Sequence, residues 1–434
     1  MENGSPTDTS KSQSPISWLI DVRQSELRSV GYSFLWFMFL MMAYNLLRPI
    51  RETFATALGK GATGNLFAWT FWILLIAVPI FAWAKGSFAK RRLVPVVFHF
   101  FASHLIVFAI LSWHFQSAKW LGLVFFVWLS VFIMFVVSLL WSVLADIFDS
   151  VQAKRLFGPI ASGATVGSLV GSGIASLFGK SLGVTSLFVL AFVLLETSIV
   201  FATLLQREAT KNDDLQTPDL NFNAPNQKKP HSNGFLDLVS GLTNIMGSPF
   251  LLLICLYVLL SQLFGTFVYL LLNETVAAQI ADEGDRLTHF SRLNFAAQFG
   301  TLLMQTLIVS RVVKFLGVSM ALVIGPAVSL FCMLGIMASP TLLLVSAVDV
   351  INRLAGYGVT VPAKEMLFSV VDDESKYKSK SFIDTVVVRG SDAVVGRLPH
   401  LQFIHIIPLT IACGVTGWIL GRKRAKLESQ SEVG

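Results

Sequence analysis

VGYSFLWFMFLMMAYNLLRPIRE, residues 30–52, is apolar over a length that can cross a bilayer, yet it ends in Arg48, Arg51 and Glu52. A helix of about 20 apolar residues spans the hydrocarbon. On an insertion scale a central Arg or Asp costs about 2.5 to 3.5 kcal/mol, so ionisable groups set into such runs mark substrate or ion pathways by default. Asp349, Arg353, Asp384, Arg389 and Asp392 occupy comparable places further along the chain. The pattern implies an all-α polytopic membrane protein with a polar route through it.

Working outward, further runs of spanning length fall near 65–84, 93–114, 120–145, 156–178, 183–205, 249–273, 287–309, 317–338, 341–363, 380–397 and 402–420. With the first, they make about twelve transmembrane helices. The eleventh, within SFIDTVVVRGSDAVVGRLP (381–399), is only weakly apolar. It is counted because it carries a polar stripe and because the loop charges require it.

The composition agrees: 54% of the 434 residues are hydrophobic and only 14% are charged, where a soluble domain carries nearer a quarter. The first 29 residues lack a continuous apolar core, so no cleaved secretory signal is read and the first span serves as its own targeting element. Cys255, Cys332 and Cys413 lie within apolar runs without a C-x-x-C pair, as small hydrophobes do. His99 and His104 share the third run, but no carboxylate or Cys joins them at ligand spacing, so neither a metal nor another cofactor is expected. Gly179-Lys180-Ser181 is not a phosphate loop, because Ile174 stands where the earlier Gly is required. No Ser-His-Asp set, paired-carboxylate site or Rossmann glycine pattern points to an enzyme.

Lys and Arg concentrate in the even-numbered connections: Lys85, Lys90, Arg91 and Arg92; Lys154 and Arg155; Arg207, Lys211, Lys228 and Lys229; Arg311 and Lys314; Lys364, Lys376, Lys378 and Lys380. Odd-numbered connections are poor in them, and the one after span seven is acidic, with Glu274, Asp282, Glu283 and Asp285. The positive-inside rule therefore puts both termini in the cytoplasm, in a membrane expected to be the bacterial inner membrane. The net charge of +7 is mostly this topology signal; nucleic acid is not an expected partner, since no exposed basic domain exists. The expected organisation is a cytoplasmic segment 1–29, a six-helix half 30–205, a polar linker 206–248, a second half 249–420 and a cytoplasmic tail 421–434. DIFDSVQAKRLFG (146–158) and SVVDDESKYKSKSFID (369–384) echo each other at the exits of spans four and ten. Parallel six-helix repeats about a central cavity are the major-facilitator architecture.

Several polar stripes recur at helical spacing. Tyr44, Arg48, Arg51 and Ala55 lie at offsets of 0, 4, 7 and 11, so both guanidiniums share a face if the helix continues past Pro49. They either line a cavity or snorkel at the interface. Asn294, Gln298, Thr301 and Gln305 repeat those offsets in span eight, with Arg292 beside them, and read as a wetted wall. Asp349 and Arg353 can pair along span ten, while Thr385, Arg389 and Asp392 mark a face of span eleven. Such pairs serve equally as static ties between helices or as gates. Gly163, Gly167 and Gly171 give span five a small-residue face for close packing.

LLRPIRET (46–53), SLLWSVLADIFDSVQAKRLFGPIASGATVGS (138–168), GSPFLLL (247–253) and KYKSKSFIDTVVVRGSDAV (376–394) resemble, in order, segments of the nucleoside triphosphate/diphosphate exchange transporters. This is the ATP/ADP translocase family of bacteria and plastids, and the likeness is to its bacterial major-facilitator-like branch, over roughly residues 30–397. The resemblance implies a twelve-helix carrier of adenine nucleotides or related anions. Relative to the family pattern, Arg51-Glu52 replaces a Lys-Asp pair, Leu129 a cavity Glu and Asp392 a Lys. The connection Leu398 to Gln402 is also short.

The expected substrate is a phosphate-bearing anion, foremost a nucleotide, moved by alternating access. Arg48 and Arg51 would meet phosphates, because the guanidinium fork matches phosphate oxygens. Asp349, Arg353, Arg389 and Asp392 would form state-dependent pairs. Lys154, Arg155, Lys378 and Lys380 would close the cytoplasmic side against Asp146, Asp149, Asp372 and Asp373. A proton-coupled carrier of another solute, with Asp384 or Asp392 titrating, and a transport-inactive membrane scaffold are the alternatives.

Overall fold

A computed structural model describes residues 22–59, 62–87, 90–115, 118–216, 234–307, 309–398 and 403–433. Most of the N-terminal segment, the middle of the linker and the 399–402 connection lie outside these residues. All regular structure among the described residues is helical: α1 (Leu27–Ala57), α2 (Ala62–Ser87), α3 (Lys90–His114), α4 (Lys119–Ile147), α5 (Ser150–Gln216), α6 (Gly234–Gly247), α7 (Pro249–Gln279), α8 (Glu283–Leu307), α9 (Val309–Ala338), α10 (Leu342–Ala355), α11 (Val361–Leu367), α12 (Asp373–Phe382), α13 (Val388–Gly396) and α14 (Phe403–Val433).

Nine of the described helical segments are apolar and long enough to span. One of them, Arg155–Thr210, folds back at Gly183, whose φ of 73° is a left-handed conformation that a β-carbon would strain. It therefore makes two crossings. α8, and the continuous helix formed by α12, a π segment and α13, are too polar to count by hydropathy but run at spanning length. The weakly apolar eleventh span is thus a helix, and twelve crossings result among the described residues. Both ends of the described chain return to one face of the bundle, called here the terminal end; the opposite face is the far end.

Pro49 does not stop α1, which continues to Ala57; the Thr53 hydroxyl donates to the Pro49 carbonyl at 2.9 Å. π segments, Gly356–Thr360 between α10 and α11 and Ile383–Val387 between α12 and α13, loosen the tenth and eleventh crossings. Such insertions are frequent at functional sites.

The glycine face of α5 packs on α1 backbone to backbone. A β-carbon at Gly163, Gly167 or Gly171 would lie 2.4, 2.0 or 2.3 Å from the carbonyl oxygens of Phe34, Met38 and Met42. Around this crossing the first six crossings bury one apolar core, which includes Leu129, Phe125 and Phe188. Leu129 is fully buried there, packed away from any polar space.

The linker and tail are more structured than their polarity implies. α5 runs on to Gln216 and α6 occupies the end of the linker, where Gly241 lies against the Lys378 carbonyl. α14 continues through Val433, and Arg424 anchors it by donating to the Met366 carbonyl at 2.9 Å while pairing with Glu428 at 2.9 Å. The short connection before α14 does not prevent its docking, since Ile406, Cys413 and Leu420 are all buried.

The two sets of six crossings meet closely at the far end. Gly64 of α2 and Gly396 of α13 cross so tightly that a β-carbon on Gly64 would overlap the Gly396 carbonyl. Lys180, at the bend of α5, reaches Asp285 at 2.6 Å and Asp282 at 3.6 Å beside α8.

Candidate functional site

A cavity of about 290 Å³ lies between the two sets of crossings, in the size range of small-molecule sites. α1 supplies Arg48 and Arg51, which stand one turn apart on the same face because the helix is unbroken at Pro49. α10 supplies Asp349 and Arg353, and α13 supplies Arg389 and Asp392. Phe67 of α2 and Phe126 of α4 form an apolar wall with Tyr269 of α7. Four guanidiniums and two carboxylates line the space, a balance of +2.

The four cations are not equivalent. Arg51 pairs with Glu52 at 2.5 Å and sits 4.9 Å over the Phe126 ring. Its Nε is buried without a hydrogen-bond partner. Glu52 also accepts a hydrogen bond from the Tyr269 hydroxyl, so α1 and α7 share one polar contact. Arg353 pairs with Asp349 at 3.0 Å, one turn back on its own helix; Asp349 is buried and Arg353 is largely covered. Arg389 approaches Asp392 only to 3.8 Å, because Asp392 is held by Thr266 at 2.5 Å and Gln262 at 3.0 Å from α7. Arg48 makes no ion pair and no hydrogen bond among the described residues while it lines the cavity. Both carboxylate–guanidinium pairs of α10 and α13 are internal to one helix, so neither is a tie between helices.

The sequence-predicted residues divide accordingly. Arg48, Arg51, Asp349, Arg353, Arg389 and Asp392 come together on the cavity, with Glu52 just behind Arg51. Tyr44 is not among the lining groups. The α8 stripe does not form a wetted wall: Asn294 and Gln298 each donate to the Asn45 carbonyl oxygen at 3.1 Å, and Asn45 in turn donates to Ser168 at 2.9 Å. These amides join α8, α1 and α5 across the interface between the two sets of crossings. Gln305 is turned to the Tyr357 carbonyl at 3.2 Å, and Arg292 is exposed outside the cavity.

Among the residues expected to gate the terminal end, Arg155, Lys380 and Asp384 have ion-pair partners within their own set of six crossings. Arg155 pairs with Glu26 at 2.7 Å, Lys380 with Glu365 at 2.5 Å and Asp384 with Lys364 at 3.3 Å. Asp149 accepts the backbone N–H groups of Val151 and Gln152, both at 2.8 Å. Asp372 caps α12 by accepting the Ser375 backbone N–H at 2.9 Å, which holds its carboxyl below the ordinary carboxylate range. Asp146 and Lys378 also have polar or electrostatic partners. The side chains of Lys154 and Asp373 lie outside the described residues. At the far end the Lys180–Asp285 ion pair joins the two sets of crossings.

Sequence reasoning missed Tyr269, Phe67, Phe126, Asn352 and the Gln262/Thr266 clasp on Asp392. Asn352 was detectable: with Asp349, Arg353 and Gly356 it follows the helical period along one face of α10. The aromatics carried no such mark. The pairing of His99 with Glu196 at 3.0 Å was also missed, because the carboxylate comes from the returning arm of α5, 97 residues away.

No protein-family model matches the chain, and no curated protein sequence matches it. Solved structures do. A bacterial homolog of the human lysosomal transporter Spinster, inward-facing and unoccupied, aligns with a TM-score of 0.53 at 13% identity, over 94% of this chain and 99% of that one. A POT family transporter in complex with 5-aminolevulinic acid aligns with a TM-score of 0.61 at 13% identity, over 92% and 96% of the two chains. The nucleoside transporter NupG gives 0.56 at 10% identity, over 93% and 100%. At these identities the likeness is one of fold: the chain has the all-α polytopic fold of major-facilitator-type transporters.

Proposed function

We propose that the protein is a secondary transporter of major-facilitator type that carries a phosphate-bearing anion, foremost a nucleotide, by alternating access. The observation that carries this reading is the convergence of four guanidiniums on one central cavity with Arg48 uncommitted. Two fixed positive charges on one helix face attract a multiply charged anion, and more strongly where part of the water is excluded. The planar guanidinium fork suits phosphate oxygens. Phe67, Phe126 and Tyr269 beside Arg51 offer a surface on which a planar ring can stack. The resemblance of LLRPIRET and the later segments to ATP/ADP translocases supports the nucleotide, and the transporter fold supports the mechanism.

With both termini cytoplasmic, as the loop charges favour, the far end, where Lys180 pairs with Asp285, is the outer face. Arrival of an anion at Arg51 would compete with Glu52 and so change the polar contact through which α1 meets Tyr269 of α7. Asp349, Arg353 and Arg389 then act as partners that exchange between one another and the substrate. A proton-coupled carrier is the second reading, favoured by Asp392, a buried carboxylate on the cavity wall held by two neutral donors.

Counter-exchange in proteoliposomes separates the two. Labelled ATP should enter vesicles preloaded with unlabelled nucleotide and fail to enter empty ones. Uptake that follows an imposed pH gradient, without preloading, would favour proton coupling. No uptake under either condition would leave a membrane scaffold.

A further inference from the structure

The walls of the cavity differ in chemistry. The first six crossings contribute guanidiniums and aromatic faces, with Thr70 and Ser130 as their neutral polar side chains. The last six contribute Arg353 and Arg389, each beside a carboxylate, and with them a row of neutral hydrogen-bonding groups. Of these, Gln262 and Thr266 are occupied by Asp392, while the hydroxyls of Ser261 and Thr410 donate to their own helices at 2.9 Å.

Asn352 is different. Its carbonyl oxygen accepts from the Ser329 hydroxyl of α9 at 3.4 Å, but its amide nitrogen has no hydrogen-bond partner among the described residues. Space beside that nitrogen is kept by Gly265 of α7, where a β-carbon would come within 3.6 Å of it. Tyr357 follows in the π segment and also lines the cavity, with no hydrogen bond to its phenol among the described residues. A bare tetrahedral anion only accepts hydrogen bonds, whereas a hydroxyl both donates and accepts. A primary amide offers both donors and an acceptor, which suits neighbouring hydroxyl groups.

Resting on the phosphate-anion reading above, we propose that Asn352, oriented by Ser329 and flanked by Tyr357, is a subsite for the hydroxyl groups of the substrate's sugar-like portion. The carried anion is then a hydroxylated phosphate ester. Its phosphate lies toward Arg48 and Arg51, and its hydroxyls lie against α9 and α10. Sites built to hydrogen-bond a hydroxyl discriminate strongly against analogues without it.

The test is titration of the purified full chain with three probes: ribose 5-phosphate, inorganic phosphate and ribose. Wild-type protein should bind ribose 5-phosphate at least tenfold more tightly than inorganic phosphate. Asn352→Ala should remove most of that margin while leaving inorganic phosphate binding unchanged, and Ser329→Ala should move it the same way by less. Arg48→Ala should weaken both phosphates. Equal affinity of the wild type for the two phosphates would overturn the subsite, as would equal weakening of both by Asn352→Ala and Ser329→Ala in protein of normal melting temperature. In either case a retained Arg48 effect leaves the phosphate reading standing. If neither phosphate binds, or if ribose binds as tightly as its phosphate and Arg48→Ala changes nothing, the phosphate reading fails and the proposal fails with it.

Discussion

Tyr269 donates its hydroxyl hydrogen bond to Glu52, joining α7 to α1 at the point where Glu52 also pairs with Arg51. The contact spans the interface between the first and last six crossings, which Lys180–Asp285 and the Gly64–Gly396 crossing also join. It thereby links the state of Arg51, which faces the cavity, to the closure of the bundle.

Tyr269→Phe removes the donor and keeps the ring against Phe67. Hydrogen bonds to charged groups contribute roughly 1.5 to 3 kcal/mol, and about 1.4 kcal/mol is tenfold in an equilibrium. The far end should open more often, and a cysteine placed at Thr70 should react at least several-fold faster with a thiol reagent added from that side. An unchanged labelling rate would show that the contact does not restrain the closure.

Asp349 and Arg353 should depend on each other. Asp349 is buried, Arg353 is largely covered and the two are 3.0 Å apart, so removing either leaves an uncompensated charge. Each single alanine change should cost about 3 to 5 kcal/mol, while exchanging the two residues should recover part of the loss. Melting temperatures of the four proteins check this; strictly additive effects would mean the two do not act as a pair.

The α1–α5 crossing has no room for a side chain. Gly167→Ala puts a methyl group 2.0 Å from the Met38 carbonyl, and the helices must separate. A loss of roughly 1 to 3 kcal/mol is expected, visible as a lowered melting temperature. Gly158→Ala, where nothing lies within 4 Å, is the control and should be neutral.

The charged members of the site were legible because a guanidinium or carboxylate in an apolar run has no bland explanation. Arg48, Arg51, Asp349, Arg353, Arg389 and Asp392 all reached the cavity for that reason. Phe67, Phe126 and Tyr269 were not, since an aromatic on a membrane helix looks the same toward lipid, core or substrate. The α8 amides were misplaced for a related reason. Helical spacing puts Asn294 and Gln298 on one face, but only the position of Asn45 decides that their N–H groups meet protein. The number of crossings followed from length and loop charge, including the polar eleventh. The Gly183 reversal left no gap in helix assignment, and the π segments have no signal in residue pattern.

Orientation is checked by cysteine labelling of intact cells. Ser87, at the terminal end of α2, and Ala281, in the far-end turn between α7 and α8, are both exposed. With the positive-inside assignment, an impermeant thiol reagent should modify Ala281→Cys and spare Ser87→Cys. The reverse pattern would invert the membrane topology.

The most direct measurement is the affinity of the purified protein for ATP as Arg48 is changed. Arg48 faces the cavity and makes no ion pair or hydrogen bond among the described residues, so its replacement removes no such contact there. Arg48→Lys keeps the charge but loses the fork, and Arg48→Ala loses both. Affinity should fall in steps from wild type to Lys to Ala, and wild-type binding should weaken as salt is raised. Equal affinity in all three proteins, each folded and monodisperse, would contradict a phosphate site at Arg48 and with it the transport of a phosphate-bearing anion through this cavity.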